Sequence, residues 1–209
     1  MSTFKHQPTG KRFLFVHIPR TAGRFIEQNL MKGNDFVWDD HVEIDRQYKS
    51  IEGVELAHFH REYYEKYLDV KDIPHITVVR NPIDRFISCS IFLSELYGDN
   101  LEELLEDPMM FSSMLQNYPS TESVNWFRPQ LDFISEKTHI WKFEDKFGDD
   151  FAQWLSDIVG VDIKIRQDMP VEKLPTDESK KVKRSAKLID NIKSLYSKDI
   201  GKLYPELDS

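Results

Sequence analysis

Apolar positions along this chain switch between short continuous runs and stripes at helical spacing. Phe13-Leu-Phe-Val-His-Ile18 is apolar on both faces, so residues 12–18 predict a strand of a parallel sheet. The run stops at Pro19-Arg20-Thr21-Ala22-Gly23, and a helix follows over about 23–32. Val54–His58 predicts a second strand and residues 62–67 a short helix. A third strand covers 74–80. Asn81 then caps a helix that starts at Pro82, runs to Tyr97 and stops near Gly98. Residues 99–127 predict short helices interrupted at Pro108 and Pro119. A fourth strand covers 138–143, an amphipathic helix 147–159 stops at Gly160, and a lysine-rich helix covers about 177–197. Residues 1–11 read as a loose polar tail, and 33–50 and 162–176 as loops. Strands alternating with helices imply an α/β chain whose central parallel sheet has helices on both faces.

Length changes this picture little: 209 residues suit one α/β domain, 1–209, with a core of useful size. A net charge of −8 argues against non-specific nucleic-acid binding, which needs a basic footprint. The single cysteine, Cys89, excludes an internal disulfide and fits a reducing, cytoplasmic setting. No signal-peptide pattern and no membrane-length apolar run is evident, so a soluble protein with no membrane partner is expected.

The chemistry concentrates at two strand ends. A buried strand feeding a short loop and a helix start is a site for an anion, because the helix start carries backbone N–H donors and partial positive charge. Here the loop adds Arg20. It lacks both GxxxxGK[ST] and GxGxxG, so it suits one compact anion rather than a nucleoside triphosphate or a dinucleotide. The second place is Arg80-Asn-Pro-Ile-Asp84-Arg85-Phe-Ile-Ser88. Arg80 ends a strand and Ser88 lies in the next helix, where a guanidinium fork and a hydroxyl could converge on a second phosphate. Asp84 and Arg85 read as structural, and Cys89 as buried and inert.

These two segments resemble those of the sulfotransferases that use 3′-phosphoadenosine 5′-phosphosulfate (PAPS). His17-Ile-Pro-Arg-Thr-Ala-Gly23 is similar to the family's 5′-phosphosulfate loop, and Val79–Ser88 to its 3′-phosphate segment. The nearest branch is the carbohydrate enzymes of the heparan sulfate 2-O and 6-O type. Arg128-Pro-Gln130, Ile140–Asp145 and Tyr196-Ser-Lys-Asp199 add weaker resemblances. Arg20 stands where the family usually has lysine, and Arg24 and Phe25 where it usually has threonine or serine. Arginine keeps the charge but is no proton donor.

The resemblance implies a three-layer, P-loop-like domain and sulfuryl transfer from PAPS to a hydroxyl of a carbohydrate or small-molecule acceptor. Arg20, Thr21, Ala22, Gly23, Arg24 and Phe25 would hold the 5′-phosphosulfate, and Arg80 and Ser88 the 3′-phosphate. The acceptor's base is expected in Ala57-His58-Phe59-His60, with His58 placed better than His60. Glu144 could hold an acceptor or cap the sheet. No metal is expected, since the two histidines have no clear third ligand. The alternatives are a phosphotransferase acting on a small molecule, or a nucleotide-binding protein of this fold without turnover.

Overall fold

The structure is a computed structural model that describes residues 2–39, 50–52, 54–98, 100–108, 125–168 and 182–208. In chain order its elements begin with β1 (Ser2–His6), β2 (Arg12–Val16), α1 (Gly23–Gly33) and β3 (Phe36–Trp38). There follow β4 (Ser50–Ile51), β5 (Val54–Glu55), α2 (Arg61–Tyr67), β6 (His75–Val79), α3 (Pro82–Tyr97) and α4 (Leu101–Glu106). The last are β7 (Thr138–Lys142), α5 (Asp149–Val159), α6 (Ala186–Leu195) and α7 (Ser197–Leu203). They fall into two units: Met1–Val79 with Asp132–Val171, and Arg80–Leu131 with Glu172–Ser209.

The first unit carries a five-stranded sheet in the order β3-β1-β2-β6-β7. Strands β2, β6 and β7 run parallel, with Val16 opposite Thr77 and Val78 opposite Trp141. The central parallel sheet expected from the alternation is present in these three strands, and β1 and β3 extend it with antiparallel pairings that the alternation did not predict. The reason is a hairpin: β1 turns into β2 within a few residues, with Gly10 at φ 72, and so short a link permits only antiparallel strands. The loose N-terminal tail is corrected with it. Phe4, the one large apolar residue in β1, is fully buried and stacks on Phe13 at 5.6 Å.

Val54–His58 is not a strand of this sheet. Val54 and Glu55 pair with β4 in a separate two-stranded ribbon, and Leu56–His58 is one turn of 3₁₀ helix. Helices α1 and α5 bury Ile26 and Leu30, and Phe151, Leu155 and Val159, in the core that Phe13, Phe15, Ile76 and Val78 share. Residues 163–166 are clamped to α1 by two asparagines. Asn34 exchanges bonds with the Lys164 backbone at 2.7 and 2.9 Å, and Asn29 Oδ1 accepts from Arg166 N at 2.7 Å.

In the second unit α3 keeps its predicted bounds. Asn81 Oδ1 accepts from Ile83 N at 2.9 Å, Pro82 opens the helix, and Gly98 ends it at φ 73. Its apolar face, with Phe86 and Ile87, packs on Leu188, Ile192 and Tyr196. The helix expected over 177–197 starts later within the described residues, at Ala186, where the Ser185 hydroxyl caps Leu188 N. Residues 109–124, part of the expected run of short helices, lie outside the described residues.

Candidate functional site

In the first unit, β2 leads into a loop with an unusual backbone. Arg20 and Ala22 take left-handed conformations, at φ 66 and φ 73. For residues with a Cβ this costs about 1–2 kcal/mol each, and it persists only where the surroundings enforce it. The buried Thr21 hydroxyl, donating to Ile18 O at 2.8 Å, is one such restraint. Backbone that alternates in hand is the arrangement that forms anion-binding concavities. Helix α1 starts at once, with Ala22 as an N-cap that supplies no side-chain hydrogen bond. Its positive end therefore meets no protein cap from that position.

Gly23 is required sterically. A Cβ there would fall on the imidazole of His17. Phe25 is half-buried with its ring 5.7 Å from that of Phe147, within the aromatic flank of the core. That packing accounts for its side chain, so only its backbone remains as an anion donor. Arg24 is exposed.

The same unit holds the two expected base candidates, and they differ. His58 is buried and its ring stands edge to face with that of His17 at 5.2 Å. His58 Nδ1 is also 3.8 Å from Glu55 Oε2. His60 is buried as well, but its ring packs on Tyr63 at 4.7 Å and on Phe133 at 6.5 Å. His17 in turn lies 3.3 Å from Glu27 Oε1. Burial pushes the Glu27 carboxyl up, but the charge and hydrogen bonding of His17 outweigh it and hold the group below its ordinary value. Glu144 is exposed in the turn after β7.

In the second unit, the Arg80 backbone is held by a buried relay. Gln130 Oε1 accepts from Arg80 N at 2.9 Å, and Gln130 Nε2 donates to Arg80 O at 2.8 Å. Fully buried Asp199 accepts from Gln130 N at 2.7 Å and from Leu131 N at 3.1 Å. Ser88 lies two turns along α3 and is buried. Asp84 pairs with Arg184 at 2.6 Å. Arg85 is fully buried and donates to Trp126 O and Arg128 O, both at 2.9 Å, which makes it a structural cation. Cys89 is buried beside Trp126 O.

Against known proteins, the model described as "Sulfotransferase family" matches residues 4–201. The chain belongs to the sulfotransferase family. A crystal structure of a sulfotransferase from Alicyclobacillus acidocaldarius shares the fold. It is 13% identical, with a TM-score of 0.50, over 94% of this chain and 95% of that one. No curated protein sequence matches. Membership of the family supports sulfuryl transfer as the general activity of this sulfotransferase.

Sequence reading missed His17 and Glu27 as neighbours of His58, because nothing local predicts that residues 41 positions apart share a contact. It missed what Gln130 and Asp199 do, although both lie in segments that carry the resemblance. Among the described residues no helix is long and apolar enough to cross a membrane, and no group of three His, Cys, Asp or Glu side chains is arranged for a metal ion.

Proposed function

We propose that this sulfotransferase moves a sulfuryl group from PAPS to a hydroxyl of a carbohydrate or small-molecule acceptor. The observation that carries this reading is the β2–loop–α1 unit, which combines left-handed Arg20 and Ala22 with a helix start whose N-cap, Ala22, supplies no side-chain hydrogen bond. In this reading the unit is P-loop-like in topology, and the branch is the heparan sulfate 2-O and 6-O type. Arg20 and the backbone N–H groups of residues 21–25 hold the 5′-phosphosulfate, while Arg80 and Ser88 hold the 3′-phosphate.

His58 takes the proton of the acceptor hydroxyl as its oxygen bonds to sulfur. The bond from sulfur to the bridging oxygen breaks, and the electron pair leaves with 3′-phosphoadenosine 5′-phosphate. Arg20 stabilises the charge that develops there. It does so without giving a proton, since a guanidinium stays charged. His60 is the weaker base candidate, because its ring is occupied by Tyr63 and Phe133.

Calorimetry with 3′-phosphoadenosine 5′-phosphate, AMP and ATP tests the donor. Selective binding of the first is expected, and equal affinity for AMP would sink the assignment. An acceptor panel supplied with PAPS then tests transfer. His58→Ala is expected to lower kcat by roughly 10²–10⁴-fold, with nucleotide affinity within about threefold. If His60→Ala is the more damaging, the two roles are exchanged.

A further inference from the structure

In the second unit, residues 126–129 are irregular backbone leading into the 3₁₀ turn that starts at Gln130. Side chains from three places grip this stretch. From α3, the fully buried Arg85 donates through Nη2 to Trp126 O and to Arg128 O, both at 2.9 Å. Between α6 and α7, the Tyr196 hydroxyl donates to Phe127 O at 2.7 Å. From α7, Asp199 accepts from Gln130 N at 2.7 Å and from Leu131 N at 3.1 Å. Pro129 has no N–H to satisfy. The Arg85 guanidinium also lies 5.9 Å from the centre of the Tyr196 ring, so two of the anchors touch. A stretch held in this way cannot shift without leaving several buried polar groups unmet.

The same stretch reaches both groups assigned to the 3′-phosphate. The Gln130 amide takes both backbone groups of Arg80: Oε1 accepts from N at 2.9 Å, and Nε2 donates to O at 2.8 Å. These are the two bonds that a hydrogen-bonded pair of antiparallel strand residues exchanges. With its N–H and C=O both held, the direction in which Arg80 projects its side chain is set. Ser88 stands on α3, three residues after Arg85, and Arg85 ties that part of α3 to Trp126 and Arg128. Arg80 and Ser88 therefore share one reference: the first through Gln130, the second through Arg85. A guanidinium fork and a hydroxyl converge on one phosphate only when their mutual placement is right to about 0.5 Å.

We propose that residues 126–131 are the brace that sets the spacing of Arg80 and Ser88, with Gln130 as its positioning residue, and that they thereby determine the preference for a nucleotide carrying a 3′-phosphate. This rests on reading Arg80 and Ser88 as the 3′-phosphate ligands. The role needs an amide. Glutamate would set a second acceptor against Arg80 O, and methionine would make neither bond.

Calorimetry on the full chain, with 3′-phosphoadenosine 5′-phosphate and with AMP, reads 3′-phosphate selectivity as the ratio of the two dissociation constants. Gln130→Met, close to the native side chain in size, is expected to lower that ratio about tenfold or more while AMP affinity stays within about twofold. In an Arg80→Ala background the same substitution is expected to change the ratio by less than about twofold, since no fork remains to be aimed. A merely structural Gln130 would lower Tm and leave the ratio alone. A ratio that stays within about twofold of native in Gln130→Met, or an equal loss in both backgrounds, overturns the proposal. If Gln130→Met does not fold, Gln130→Glu is measured in its place; loss of the fold in both assigns Gln130 to folding and overturns the proposal as well. Failure of the 3′-phosphate reading is seen separately, as a native ratio retained by Arg80→Ala. That result would remove the role given to residues 126–131.

Discussion

After β2 the chain turns with two left-handed residues that are not glycine; after β6 it turns with ordinary backbone gripped by remote side chains. Arg20 and Ala22 are held in a locally strained turn by nearby restraints such as the Thr21 hydroxyl on Ile18 O. Arg80 owes its placement to Gln130, 50 residues on, and Gln130 to Asp199, 69 residues beyond that. The first device stores energy in the loop itself. The second spends a buried carboxylate and a buried amide, and works only when every partner is present. A strained loop should therefore respond to changes in backbone freedom, and a relay to deletion of a distant side chain.

Two cation deletions should separate the regions by readout, with the largest effects. Arg20→Ala is expected to lower turnover by about 10²-fold or more, the scale of one preorganised electrostatic donor. Arg80→Ala is expected to weaken 3′-phosphoadenosine 5′-phosphate binding by about 2–4 kcal/mol in calorimetry. If both act on turnover alone, the division of labour is wrong.

Asp199→Ala tests the relay. It leaves two backbone donors, the buried Gln130 N and the part-buried Leu131 N, without their acceptor, and should cost about 3 kcal/mol. A thermal melt should show Tm lower by roughly 10 °C. Nucleotide affinity should fall too, although Asp199 touches no phosphate in the scheme above. A melt shifted without any change in affinity would show that Arg80 does not depend on the relay.

Glu27 gives a pH test of the loop region. Its carboxyl lies below the ordinary value in the folded chain, so it contributes stability that is present above about pH 4.5, its reference value, and is lost as pH falls through the lower folded value. Native protein should therefore exceed Glu27→Gln in stability at neutral pH. The difference should close as denaturant melts are repeated at falling pH. A gap that persists at the acid end would assign the contribution to packing rather than to charge.

The smallest effect has the opposite sign. Ala22→Gly removes the left-handed penalty but adds unfolded-chain entropy, for a net gain of about 0.5 kcal/mol and a Tm higher by roughly 1–2 °C. Loss of stability there would mean that the left-handed conformation is not under strain.

Much of this was legible in the chain. The strand–loop–helix at 12–33 and the Asn81–Pro82 helix start are local events, written in apolar periodicity and in residues whose φ or capping chemistry is restricted. The left-handed turn at Arg20–Ala22 and the Arg80–Ser88 segment were legible as segments for the same reason, each lying within about ten residues. Three readings failed where local signal was weak. β1 hides one buried phenylalanine among polar residues. β3 has only Phe36 buried. Val54–His58 has strand-like composition but turns after two paired residues.

The sequence by itself determined which residue types arrive at the two strand ends, because periodicity, helix caps and φ restriction act over one or two turns of chain. Only the tertiary structure decided which of them meet. His17 touches His58 rather than His60, Glu27 serves His17, and Gln130 and Asp199 hold Arg80. These contacts join residues up to 69 positions apart, and they form once packing has met the cost of closing the chain between them.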